Sequence, residues 1–85
     1  MKTVPVEIIT PDKVFLKEDA EFVVIPGAAG ELGILPGHAR LLALLKAGTI
    51  RLQRAETERT YAISGGVAFI EPSLVKIFTA SITSA

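Results

Sequence analysis

The segment GTIRLQR, residues 48–54, alternates strictly, with Ile50 and Leu52 on one side and Arg51 and Gln53 on the other. A helix places residues i and i+2 on different faces, so this order buries its apolar side only as a strand. The same period of two runs through VPVEIIT (4–10) around Glu7, and AEFVVIP (20–26) is a short β-branched run ended by proline. RTYAIS (59–64) follows GTIRLQR after the polar turn AETE (55–58), so residues 48–64 read as a β-hairpin. VAFIE (67–71), the turn EPS (71–73) and LVKIFTA (74–80) make a second hairpin. Short strands at close spacing, joined by Pro and Gly turns, predict an all-β sandwich or barrel. The 85 residues suffice for one small domain and show no internal repeat or linker.

One segment conflicts with this pattern. RLLALLKAG (40–48) carries Leu41, Leu42, Leu44 and Leu45 at helical spacing, with Lys46 and Gly48 suited to a helix end. Propensity alone predicts a short helix there. Inside a small sandwich the same run is a strand buried on both faces, since burial overrides a weak propensity. The residues themselves leave both readings open.

Composition narrows the function classes. Hydrophobic residues make up 49% of the chain and the mean hydropathy is +0.48, high for so small a soluble domain. The apolar residues come in short pieces, and none approaches the roughly 18–20 that a membrane helix requires. The surplus fits either an exposed apolar face covered by a partner or a well-filled sandwich. Nine basic and nine acidic residues cancel, which argues against nucleic acid as a partner, because that needs a basic stripe. The absence of Cys excludes disulfides, Cys-based zinc sites and a thiol nucleophile. The N-terminal MKTVPVEIITPDK has no apolar signal core, which fits a cytosolic chain.

The stretch PGAAGELGILPGHARL, residues 26–41, holds four glycines, two prolines and the only His of the chain. Gly27, Gly30 and Gly33 form G-x-x-G-x-x-G, which is neither the dinucleotide fingerprint nor the P-loop, and no Lys-Ser or Lys-Thr follows. Ile34-Leu35-Pro36 is also a poor start for the helix that a phosphate loop normally feeds. Ser64 precedes Gly65-Gly66 but lacks the first glycine of a nucleophile elbow, so a triad of His38, Ser64 and Asp12 or Asp19 has nothing selecting it. Ser64-Gly65-Gly66 reads better as a turn or bulge that needs glycine backbone. One His with scattered carboxylates makes no metal site. What remains is a scaffold or partner-binding role. Pro-Gly at 26–27 and 36–37 predicts two turns bracketing residues 31–35, with Glu31 displayed at one tip and His38 at the other.

These residues carry a resemblance. VIPGxxGELGILPGHA, then an apolar run, Lys-x-Gly and a later Ser-Gly-Gly, is similar to the N-terminal domain of the epsilon subunit of F-type ATP synthase, called delta in mitochondria. The opening Glu7-Ile8-Ile9-Thr10-Pro11-Asp12-Lys13 also fits, and the spacing agrees from about residue 5 to residue 80. The resemblance implies a flattened β-sandwich of about ten short strands in two sheets, spanning residues 1–85 as one domain, with 40–46 as strand. It implies a non-catalytic central-stalk rotor subunit that couples the c-ring to the gamma subunit during proton-driven ATP synthesis. Gly30, Glu31, Leu32 and Gly33 would then face the c-ring, and His38, Ala39, Arg40 and Leu42 would lie toward gamma. No catalytic residue, metal, cofactor, nucleic acid or membrane insertion is implied. The expected location is peripheral to the membrane, on the cytoplasmic face of the bacterial inner membrane or its organellar equivalent.

The sequence departs from the family in three places. Arg40 stands where relatives often have Pro, which restores a backbone N–H donor and adds a charge. Ala47 replaces the usual Pro of Lys-Pro-Gly. The chain reads Phe78-Thr79-Ala80-Ser81-Ile82-Thr83-Ser84-Ala85 where relatives continue into two helices, so neither the helical hairpin nor its ATP binding is expected. A rival reading is a small-molecule-binding or hydrolytic β-domain using His38 and Ser64.

Overall fold

The computed structural model describes residues 2–84. Ten strands follow one another: β1 (Val4–Ile9), β2 (Val14–Ala20), β3 (Phe22–Gly27), β4 (Gly30–Ile34), β5 (Leu41–Leu45), β6 (Gly48–Arg54), β7 (Thr57–Ile63), β8 (Gly66–Glu71), β9 (Leu74–Phe78) and β10 (Ile82–Ser84). Hydrogen bonding runs unbroken in the order β10-β7-β6-β3-β5-β8-β9-β1-β2, and β4 pairs with β3. All pairs are antiparallel except β1 with β9.

That continuous path has one narrow seam. β3 meets β5 through the single pair Gly27 with Leu45. The Ala28 N–H donates to Leu44 O at 2.8 Å and the Lys46 N–H to Pro26 O at 2.9 Å on either side of it. The seam divides the sheet into two layers, β4-β3-β6-β7-β10 and β5-β8-β9-β1-β2. The first layer sends Val23, Ile25, Ile34, Ile50 and Leu52 inward, and the second sends Val6, Ile8, Ile70, Val75 and Ile77 into the same core. Each fully buried Val or Ile contributes roughly 1.5–3 kcal/mol relative to exposure, so the alternation seen in the sequence is what holds the layers together. Phe15 of β2 meets Tyr61 of β7 edge to face at 5.9 Å, and the Arg59 guanidinium donates to Glu18 at 2.8 Å. Both contacts tie the far edge of the second layer back onto the first.

The leucine run forms a strand. β5 pairs residue by residue with β8, from Leu41 with Ile70 to Leu45 with Gly66. Ala43 and Leu45 are buried while Leu42 and Leu44 point outward, 59% and 66% exposed. The ladder therefore overrides the helical propensity, and the strand is buried on one face rather than two.

The turns shift slightly from their expected places. Arg54 pairs with Thr57, so the β6–β7 loop is only Ala55-Glu56. Ala55 has φ of 55°, and its N–H donates to the Glu21 carboxylate at 2.6 Å, which fixes the loop against β2–β3. Gly27 pairs with Gly30, so the first turn is Ala28-Ala29, and Pro26-Gly27 belongs to β3. Pro26 is tolerated there because its N and C=O both face the corner where β5 gives way to β6, and its carbonyl accepts from Lys46. Gly66, at φ of 143°, lies so close to β9 that a Cβ would overlap the Phe78 carbonyl oxygen. The Ser-Gly-Gly motif is thus a backbone requirement of the fold.

Candidate functional site

The β3–β4 hairpin builds the first feature of interest. Strand alternation turns Leu32 and Ile34 toward the core and Glu31 and Gly33 outward. Gly33 lies beneath the Phe22 ring, where a Cβ would come within 2.9 Å of it. Glu31 is consequently the one outward side chain of β4, since its neighbour on that face is glycine. It sits within the strand, paired with Pro26, one position inside the turn rather than at its tip. Arg51 of β6 reaches across β3 to it, with Nη2 3.6 Å from Oε1.

The second feature is the outward face of β5, β8 and β9. Leu42 pairs with Phe69, Leu44 with Val67, and Val67 in turn with Phe78. Phe69 and Phe78 meet edge to face at 5.7 Å, yet remain 48% and 38% exposed. Four large apolar side chains thus form one patch on a surface that water would otherwise cover. Arg40 and Glu71 stand at its rim, joined at 3.1 Å and both well exposed. His38 belongs to the turn leading into β5. Its N–H donates to Leu35 O at 3.1 Å, its Nδ1 donates to Ala39 O at 2.7 Å, and the preceding Gly37 N–H donates to Pro72 O at 3.0 Å.

The expected site residues therefore fall into two adjoining groups. Gly30, Glu31 and Gly33 present the hairpin, with Leu32 turned partly into the core. His38, Ala39, Arg40 and Leu42 lead onto the apolar face. The groups touch, because Leu42 and Leu44 share an open groove of about 410 Å³ with Gly27–Leu32. Leu44, Phe69, Phe78 and Arg51 escaped the sequence reading. For the apolar residues the signal was parity, since once β5 and β8 are in register every second residue of 42–44 and 67–69 is apolar and outward, whereas Arg51 meets Glu31 only through the strand order.

The rival catalytic pairing fails on geometry. His38 precedes the Leu41 end of β5, whereas Ser64 adjoins Gly65-Gly66 at the Leu45 end. A five-residue strand spans about 13 Å, so the imidazole has no reach to the hydroxyl. The Ser64 N–H donates to Ser81 O at 3.3 Å instead. Gly27, Gly30 and Gly33 lie in a hairpin rather than before a helix, so they form no phosphate cradle. Among the described residues no group of three or more His, Asp or Glu is placed to hold a metal. No helix there is long and apolar enough to cross a membrane.

Known proteins resemble the chain throughout. The family model "ATP synthase, Delta/Epsilon chain, beta-sandwich domain" matches residues 3–85. The ATP synthase epsilon chain of Desulforamulus reducens is 46% identical over 76 residues, covering 89% of this chain and 58% of that one. The epsilon chain of Gloeothece citriformis is 44% identical over 75 residues, covering 88% and 54%. A chain in the solved Euglena gracilis mitochondrial ATP synthase superposes with a TM-score of 0.90 at 25% identity, over 96% of this chain and 53% of that one. The chain thus spans little more than half the length of these relatives. With the family model matched over residues 3–85 and the fold superposing at a TM-score of 0.90, the chain belongs to the β-sandwich family of ATP synthase delta and epsilon chains.

Proposed function

We propose that this chain is a non-catalytic rotor part of an F-type ATP synthase, seated between the gamma subunit and the ring of c subunits. Its task is mechanical: it keeps ring rotation and gamma rotation in step during proton-driven synthesis. Family membership supports the reading, as do the names of its relatives. The observation that carries it is the adjacency of two chemically unlike surfaces on one rigid sheet. An apolar face with Leu42, Leu44, Phe69 and Phe78 exposed suits a large, well-packed protein neighbour. A hairpin displaying one carboxylate between glycines suits a polar loop.

In this reading the apolar face, with His38, Ala39 and Arg40 beside it, meets gamma. Gly30, Glu31, Leu32 and Gly33 meet the polar loops of the c-ring, and the shared groove is where the two partners adjoin. The role needs no cofactor or ATP. The chain would sit peripherally at the membrane, on the cytoplasmic face of a bacterial inner membrane or its organellar equivalent, without entering the bilayer.

The test is affinity purification of the tagged chain from mildly solubilised membranes. Gamma and c subunits are expected to co-purify at moderate salt, and loss of both would overturn the proposal. Calorimetric detection of ATP binding at micromolar affinity would contradict the passive role.

A further inference from the structure

We propose that Arg51 is a positioning residue: it holds the Glu31 carboxylate in the orientation in which the hairpin docks. The inference rests on the reading of Glu31 as the c-ring contact. On its own strand Glu31 has nothing to brace it. Gly30 precedes it, Leu32 turns toward the core, and Gly33 leaves its outward position to the ring of Phe22. A glutamate so placed samples several rotamers, and freezing them on docking weakens binding.

Arg51 supplies the brace from two strands away. It pairs in register with Val24, whose other neighbour is Gly33, and its guanidinium crosses β3 to lie 3.6 Å from Glu31. Val24 faces outward yet is only 8% exposed. The Phe22 ring fills the β4 side over Gly33, and Arg51 is the in-register neighbour of Val24 on the β6 side. The two side chains are 43% and 65% exposed, and exposed ion pairs of this kind add little to stability. What the contact does is orient: a guanidinium anchored over β3 fixes where the carboxylate of β4 stands.

Binding of the 85-residue chain to purified c-ring in lipid nanodiscs tests this, alongside side-chain coupling constants of Glu31 in the free chain. Arg51→Met keeps an unbranched side chain at the position in register with Val24 and removes the charge. It is expected to lower c-ring affinity about 2- to 10-fold, the scale of one immobilised side chain, and to average the Glu31 χ1 couplings. Arg51→Lys should restore part of both, and Arg51→Gln serves if the Met variant folds poorly. In a Glu31→Gln background, Arg51→Met should have no further effect on affinity. Unchanged affinity and unchanged couplings in Arg51→Met would overturn the proposal. So would an equal loss in both backgrounds, because Arg51 would then touch the ring by itself. Failure of the unaltered chain to bind the ring overturns the Glu31 assignment instead, and the couplings of the free chain still report on Arg51.

Discussion

The two layers share one core but differ on their outer faces. Outside β4, β3 and β6 stand Glu31, Arg51 and Gln53, with the two charges joined over β3. Outside β5, β8 and β9 stand Leu42, Leu44, Phe69 and Phe78. Both patterns satisfy the same inward alternation, so folding does not distinguish them. Only what each face meets can.

The comparison can be broken from the inside first. Ile50→Ala in one layer and Ile77→Ala in the other should each cost about 2–5 kcal/mol in urea denaturation, since both side chains are fully buried. A large inequality would show that the layers do not share their core evenly. On the apolar outer face, Leu44→Glu should leave the denaturation midpoint within about 0.5 kcal/mol while weakening gamma binding by about 2 kcal/mol or more. An equal loss of stability would mean that Leu44 supports the fold rather than a partner. On the charged face, Glu31→Lys should reduce c-ring affinity about tenfold, with the difference shrinking as salt rises. Co-purification indifferent to this change would remove Glu31 from the contact. The smallest effect is expected at the rim: Arg40→Ala breaks an exposed ion pair and should shift stability by less than about 0.5 kcal/mol.

How much of this the sequence disclosed follows the same division. Strands with polar outward positions, such as Ile50-Arg51-Leu52-Gln53, announced themselves through alternation. β5 did not, because its outward positions are Leu42 and Leu44, which erases the contrast that period two relies on. The strand was hidden by the property that makes its face notable. Glu31 and His38 stood out through their glycine and proline surroundings. Arg51 could not, since its relation to Glu31 exists only once β3 lies between β4 and β6. Proline misled by two residues at Pro26, where a strand corner forgives the missing N–H as readily as a turn does.

The parallel pairing of β1 with β9 has a consequence for how the molecule is made. Val6 lies beside Val75 and Ile8 beside Ile77, so β1 must wait for a strand nearly seventy residues further along the chain. The hairpins β3–β4, β6–β7 and β8–β9 join near neighbours in sequence and are expected to form first. During that interval β1 and β2 have only each other, and their apolar side is uncovered. The layer that carries Leu42 and Leu44 on its outer face is therefore the one whose closure spans the longest stretch of chain.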